Sequence, residues 1–317
     1  MTAMRKTPAV PDGSAVSVRH LAFDLSKRHP IQLMRYRWAK PRAAQYDKHY
    51  GLEVGILLRG KMRRVDPKEA VDVKPGQAWL CGSWEPHGCQ ILAPESEAVV
   101  FRVFPPLLAN FQFSELPLSR WIAPATASIN VPNVTEAMRD RLLELGRNLD
   151  PHKSGRGAFQ QIWLRLRLFE ILVTLQKPQT PSALMSRDAG FAERIFQAME
   201  LVFNSRSLVT TQQAAKACLL RRNILSRVFQ KTLGMTFSEF GLRYRISKVA
   251  EDLLNSHTPV KALSDRWGFN DPSHLYRHFA KHYRCTPIQY RKRSDPLISG
   301  KADRRVARNG ACTLIGT

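Results

Sequence analysis

The residues best suited to chemistry on a partner lie in one stretch, WGFNDPSHLYRHFAKHYRCTPIQYR, from Trp267 to Arg291. Gly268 supplies a backbone free to take positive φ, as a tight helix-to-helix turn needs. Asp271 is a good N-cap, and Pro272 sits at the first helical position, where its missing N–H has no intrahelical partner to lose. Leu275 and Phe279, four apart, share a face for burial. Ser273, His274, Tyr276, Arg277 and Lys281 are left for the other faces. Thr286-Pro287 is expected to stop the helix, because the residue before proline is pushed out of the α region. A short helix carrying Arg, His and Tyr after a Gly turn suits a DNA major groove. A solvated basic helix on any globular protein fits the same residues, so the surrounding elements must decide.

The chain has 317 residues, enough for about two domains of ordinary size. Its formal net charge of +23 favours a polyanionic partner, with nucleic acid ahead of an anionic membrane surface. Residues 187–293 hold 19 Lys/Arg against 8 Asp/Glu, so the basic excess extends through the region around the opening stretch. The first twenty residues have basic groups but no apolar core behind them, unlike a signal peptide. No run approaches the roughly 18 apolar residues of a membrane span, so no membrane partner is expected. Cys81, Cys89, Cys218, Cys285 and Cys312 form no C-x-x-C pair and are odd in number, as reduced cytoplasmic thiols would be.

Residues 1–28 read as a loosely ordered arm. Between about 30 and 104 the apolar period is two: strands are expected at Ile31–Trp38, Val54–Leu58, Lys61–Val65, Ala70–Val73, Ala78–Cys81, Gly88–Leu92 and Ala98–Phe104. Pro and Gly turns separate them, which argues for an antiparallel sandwich or barrel able to enclose a ligand. Thr135 can cap a helix with Met138, Leu142, Leu145 and Leu149 on one stripe. A helix from Gly157 to Leu175 is apolar on two faces: Phe159, Ile162, Trp163, Leu166 and Val173 on one, Leu164, Leu168, Ile171 and Leu175 on the other. It must be buried on both sides or covered by a second subunit, and a homodimer is the expectation. Residues 177–189 read as a linker. Short helices then follow at Phe191–Phe203, Gln212–Cys218 capped by Thr210 or Thr211, and Arg221–Leu233 closed by Gly234. A long helix, Phe237–Leu254, is capped by Thr236 and turns Leu242, Ile246, Val249, Leu253 and Leu254 inward. Pro259 opens a last short helix to Arg266 before the opening stretch. The tail, 294–317, reads as disordered.

Two segments share one plan, a short helix, a tight turn and a helix with an L-x-x-x-F pair. These are AAKACLLRRNILSRVFQKTLGMT, with Leu225 and Phe229, and SDRWGFNDPSHLYRHFAKHYRCTP, with Leu275 and Phe279. Each has an Arg two residues after its Leu, Arg227 and Arg277. The linking helix of about 18 residues spans roughly 27 Å, near the roughly 34 Å rise of one DNA turn, so both units could face successive major-groove segments.

Gly268, Phe269, Asp271, Ser273, His274, Leu275, Arg277 and Phe279, continued by Thr286, Pro287, Tyr290 and Arg291, resemble the signature of AraC/XylS-family transcription regulators. Arg245 and Leu253 match that family's linking helix, and the resemblance covers about 190–293. PGQAW (75–79) and EPHG (85–88) resemble, more weakly, the family's cupin-like sensing domain. The resemblance implies two domains: an all-β cupin-like or jelly-roll barrel with appended helices over 29–176, and an all-α domain of two helix-turn-helix units joined by a long helix over 190–293. It further implies a cytoplasmic, effector-responsive activator that binds double-stranded promoter DNA and contacts RNA polymerase. By position it assigns Asn223, Ser226, Arg227 and Gln230 to the groove in the first unit, and Ser273, His274, Tyr276 and Arg277 in the second. Arg222 and Lys231 read as phosphate contacts. Leu219 and Arg221 replace the family's Gly and Ser in the first turn, Arg284 replaces a Gly before Thr286, and Pro272 stands where a polar reader is usual.

Arg59, Trp79, Trp84, His87 and Arg102 are candidates for an effector pocket in the N-terminal half; packing in the sheet is each one's ordinary alternative. A cupin metal centre needs several histidines and a carboxylate converging from different strands. His87 is the only histidine between Tyr50 and Phe104. His49, Glu53 and Glu85 are near it in sequence, and a Cys81/His87/Cys89 site is conceivable, but buried thiols and a turn histidine are the reading taken. No metal, no cofactor and no enzymatic activity are expected, since no nucleophile–base set or phosphate loop appears. The rival reading is a cupin-type metalloenzyme fused to a basic module.

Overall fold

The computed structural model describes residues 25–66, 69–110, 131–150, 158–175 and 187–294, with strand residues 7–8 and 18–20. They fall into two compact units, the first made mainly of Leu25–Ala189 together with Met1–Val18 and the second mainly of Gly190–Ala311. Most of the expected arm and linker, and the tail from 295 on, lie outside the described residues.

Ten strands occur among the described residues, nearly all in the first unit: β1 (Thr7–Pro8), β2 (Val18–His20), β3 (Ile31–Trp38), β4 (Arg42–Lys48), β5 (Leu52–Arg59), β6 (Met62–Val65), β7 (Glu69–Val73), β8 (Ala78–Cys81), β9 (His87–Ile91) and β10 (Ser96–Val103). They form a six-stranded sheet, β1-β7-β6-β9-β4-β2, and a four-stranded sheet, β3-β10-β5-β8. The double-sheet expectation holds, with two additions. β4 is a strand that alternation does not announce, since in RAAQYDK only Tyr46 is buried. Backbone pairing to β9 holds it, through Tyr46 opposite Gly88 and Asp47 opposite His87. β1 and β2 fall inside the stretch expected to be loosely ordered.

Trp38, Leu57, Trp79, Cys81, Ala98 and Val100 of the smaller sheet meet Met62, Val73 and Ile91 of the larger one, forming the core between the sheets. Gly55 is required there: a Cβ on it would sit 2.1 Å from Trp79 Cζ2. β5 is buried from Leu52 to Leu58 on both faces, which explains its nearly unbroken apolar run. Its second face is covered by helices α1 (Glu136–Asn148) and α2 (Ala158–Thr174). Gly146 of α1 lies against Leu58, Ile56 and Val99. Leu168 and Leu172 of α2 line a small apolar pocket with Leu52, Val54, Leu80 and Val103. Thr135 caps α1 by accepting from the Met138 N–H. On α2 only one of the two apolar faces is buried, by Leu164, Leu168, Ile171 and Leu175. Phe159, Ile162, Leu166 and Val173 on the other are 81, 53, 61 and 48% exposed.

The second unit contains α3 (Arg187–Asn204), α4 (Thr211–Ala217), α5 (Arg222–Leu233), α6 (Phe237–Asn255), α7 (Val260–Arg266), α8 (Pro272–Tyr283) and α9 (Pro287–Ser294). Local chemistry sets these boundaries. Thr210 and Gln213 form a full capping box at α4, Thr236 caps α6, and Gly234 ends α5 at φ 67°. α8 ends at Tyr283 on the left-handed Arg284, before the expected stop, and Thr286-Pro287 instead opens α9, with the Thr286 hydroxyl accepting from the Gln289 N–H. Leu254, expected inward, is 43% exposed. Val249, Leu253, Leu263, Trp267, Phe269, Leu275 and Phe279 form one core, with Tyr290 of α9 packed against it.

Candidate functional site

Helices α4–α5 and α7–α8 have the same construction. In the first turn the Leu219 N–H donates to the Lys216 carbonyl and the Leu220 N–H to the Ala215 carbonyl. In the second the Gly268 N–H donates to Asp265 and the Phe269 N–H to Ser264. Leu219 therefore stands where Gly268 stands, at φ 53° against 62°. The non-Gly residue carries the steric cost of the left-handed region there, with its side chain 86% exposed. Gly268 has a further reason to be glycine, because a Cβ would meet Ser207 Cα at 2.7 Å and the Arg206 carbonyl oxygen at 2.9 Å.

An arginine from the preceding long helix ties each turn. Arg245 of α6 donates from Nη1 to the carbonyls of Gly268 at 2.7 Å and Trp267 at 3.2 Å, with its guanidinium 4.8 Å from the Phe269 ring centre. Burial lowers the Arg245 pKa from its ordinary value, and those two carbonyls and the ring face offset part of that cost. Arg194 of α3 does the same more loosely, reaching the Cys218 and Leu219 carbonyls at 3.4 and 3.3 Å. Sequence reasoning reached Arg245 through the family resemblance and missed Arg194. The signal was present: each arginine precedes its turn by 22–25 residues.

The second helices of the two units are held by their expected anchors. Leu225 and Phe229 of α5, and Leu275 and Phe279 of α8, are fully buried. On α5, Arg222, Asn223, Ser226, Arg227, Gln230 and Lys231 are all exposed, on two adjacent i, i+4 rows opposite those anchors. Arg221 supplies the N-cap backbone of α5 but no side-chain cap. On α8, Asp271 accepts from the His274 N–H at 2.8 Å, with Pro272 at the first turn. Ser273 and Arg277 are exposed and Tyr276 is half-buried. His274 stands at the flank of that face, half-buried, its ring 5.7 Å from Phe269 and 4.5 Å from His278. Arg284 closes α8 at φ 56°, its cation beside the negative end of the helix. Between the two units, α6 runs 19 residues, about 28 Å at 1.5 Å per residue.

The residues named for an effector pocket separate into those that converge and those that do not. Glu53 of β5 and Cys81 of β8 pair directly, so their side chains share one face, and Trp79, two residues earlier, joins them. Arg64 of β6 and His87 of β9 reach the same point from the opposite sheet. The Trp79 Nε1–H donates to Glu53 Oε1 at 2.9 Å, and Arg64 Nη2 lies 3.6 Å from that oxygen. Glu53 Oε2 is 3.6 Å from His87 Nε2 and 3.7 Å from His49 Nε2. Burial alone would raise the Glu53 pKa, but His87, His49 and Arg64 outweigh it and hold the carboxyl well below the usual range. Burial likewise lowers His49, to about 4, while Cys81 and Glu53 overcome the burial of His87 and raise it well above 6.5. Arg102, opposite Glu53 in β10, donates to the Tyr36 hydroxyl at 3.0 Å. Trp84 is buried in the loop after β8 at φ 63°, its ring 6.4 Å from Tyr50. Arg59, at the exposed end of β5, is not among the residues that meet Glu53.

The thiols expected near His87 do not form a ligand set with it: Cys81 Sγ accepts from Arg64 Nη2 at 3.1 Å, and Cys89 is half-buried on β9. A histidine–carboxylate cluster does form instead. One ligand atom each from His49, Glu53 and His87 lie within 4.8 Å of one another. His49 and Glu53 were within view in the sequence, but nothing local shows that opposite sheets bring them to His87.

Residues 214–293 match a family model described as a helix-turn-helix domain. By sequence the chain is similar to the lactose operon transcription activator of Staphylococcus xylosus, 25% identical over 125 residues, 39% of this chain and 44% of that protein. It is also similar to the transcriptional activator RhaR of Mannheimia succiniciproducens, 26% identical over 100 residues, 30% of this chain and 36% of that protein. The chain spans less than half the length of the curated relatives it matches. Among solved structures it is similar to fatty-acid-bound ToxT from Vibrio cholerae, at 14% identity and TM-score 0.48 over 83% of this chain and 95% of that one. It is also similar to an AraC-type DNA-binding regulator from Chromobacterium violaceum, at 22% identity and TM-score 0.32 over 34% of this chain and 97% of that one. Among the described residues, no helix is long and apolar enough to cross a membrane.

Proposed function

We propose, from the premise that residues 214–293 are a helix-turn-helix domain of the AraC type, that this chain is a sequence-specific regulator of transcription. It binds double-stranded promoter DNA through α5 and α8. The observation that carries the proposal is the division of labour on those helices: Leu225/Phe229 and Leu275/Phe279 buried, with polar and basic side chains on the opposite faces. Arg227 and Arg277 suit the O6/N7 edge of guanine, and Asn223 and Gln230 suit adenine. Ser226, Ser273 and Tyr276 fill the remaining groove-facing places, while Arg222 and Lys231 suit phosphates. His274, at the flank, serves a phosphate better than a base edge. An α6 of about 28 Å suits two units placed on one side of the duplex about one turn apart.

The same proposal holds the chain to be an activator, as the names of its relatives suggest by analogy, and with that role a cytoplasmic binding protein rather than an enzyme, in contact with RNA polymerase. It acts as a homodimer, supported by the exposed apolar face of α2. Its β unit senses a small effector, supported by the buried polar group around Glu53, which includes Trp79 and His87 and has Arg102 on the neighbouring strand. Mapping the genomic DNA bound by the full chain tests the proposal. Discrete sites upstream of genes are the expected result; uniform occupancy without a shared sequence would defeat it.

A further inference from the structure

We propose that His49 Nε2, His87 Nε2 and Glu53 Oε2 form a binding site for one divalent first-row transition-metal ion in the interior of the β unit. The Glu53 carboxylate is divided between two tasks. Its Oε1 receives the Trp79 N–H and faces Arg64, whereas Oε2 faces both imidazoles. Each imidazole is oriented from behind by a backbone oxygen: His49 Nδ1 lies 2.8 Å from the Gly51 carbonyl and His87 Nδ1 2.8 Å from that of Glu85. A carbonyl only accepts, so each Nδ1 carries a proton and each Nε2 is turned towards Oε2. An outer carbonyl that fixes the tautomer while the far nitrogen faces a ligand set is how metal-binding histidines are held.

The spacing fits. Nitrogen and oxygen ligands about 2.0–2.2 Å from an ion stand roughly 3–3.6 Å apart. The contacts to Oε2 at 3.6 and 3.7 Å need a small contraction, and the cluster as a whole, spread over 4.8 Å, must close further around an ion. Two imidazoles and one carboxylate suit Zn, Fe, Co, Ni or Mn better than Ca or Mg, which take oxygen ligands, and they leave coordination positions open. All three residues are more than nine-tenths buried, on β5, on β9 and beside the tight turn between β4 and β5. Cys81 Sγ accepts from Arg64 Nη2 and interacts with His87, and it stands beside the three-residue cluster without being one of its ligands. The Arg64 charge works against a cation, so the site depends on having all three ligands.

The site deepens the sensing role but does not depend on DNA binding, since the ion is read out directly. The test uses the full chain, stripped of metal and titrated with Co(II). The expected result is saturation at one equivalent with visible ligand-field bands. X-ray absorption should show two imidazoles, an oxygen ligand and no sulfur. H87Q and E53Q, checked by circular dichroism, should each weaken binding by more than the about 10–100-fold that loss of an outer partner costs. If either variant fails to fold, the wild-type absorption spectrum decides alone. No saturable binding, sulfur ligation, or undiminished binding in folded variants would overturn the site, whatever the protein does with DNA.

Discussion

Arg277 and Leu219 mark the two ways a single residue matters here. Arg277 is exposed on α8 while its neighbours Leu275 and Phe279 hold the helix in place. Its truncation should therefore leave folding intact and weaken binding to the preferred sequence by about 1–3 kcal/mol, with binding to unrelated duplex little changed. Fluorescence anisotropy with both duplexes measures the difference; equal losses on the two would assign Arg277 to phosphate. Leu219 is the reverse case, with a conformational cost and almost no packing. Leu219→Gly removes a Cβ from the left-handed region and should raise the stability of this unit by roughly 1 kcal/mol in urea unfolding. An unchanged or lower stability would mean that the chain's wider freedom when unfolded, or lost contacts, cancel the relief.

At the level of elements, α5 and α8 are each aimed by the preceding turn, and each turn is tied to a long helix by an arginine. Gly268 is the tightest point, with positive φ and the Ser207 and Arg206 backbone against it. Gly268→Ala should destabilise the unit by at least about 1–2 kcal/mol and reduce specific DNA binding more than the exposed substitutions do. Thermal unfolding and anisotropy together check this; a neutral effect would mean that the 205–207 segment yields easily. Most of this architecture was legible in the sequence because it is local. Thr135, Thr210, Thr236 and Asp271 cap helices where their side chains announce it, and Pro/Gly turns separate the strands. β4 was not legible, because backbone pairing rather than an apolar face holds it. Nor was α9, since Pro287, expected to stop a helix, instead begins one three residues after Arg284 has closed α8. The residues proposed for the groove were named from the signature motif, whereas the His49–Glu53–His87 group requires two sheets to be stacked before it exists.

For the whole molecule, one unit presents basic helices and the other presents an apolar face. Phe159, Ile162, Leu166 and Val173 on α2 are the most direct support for a second copy. Leu166→Glu should convert a dimer to a monomer in sedimentation velocity and lower DNA affinity through lost multivalency, without loss of secondary structure. A dimer that survives this change would place the contact elsewhere. A net charge of +23 would by itself favour any duplex in a salt-sensitive way, so affinity alone says little about reading sequence. The central claim is that α5 and α8 read sequence together. It is tested most directly by selecting bound duplexes from a random pool, at physiological salt, with the full chain. The account predicts one enriched motif with two blocks whose centres lie about one helical turn, roughly 10–10.5 base pairs, apart. The Arg277→Ala protein should lose the information in one block and keep the other. A pool that stays random, or a motif that the substitution leaves intact, would contradict it.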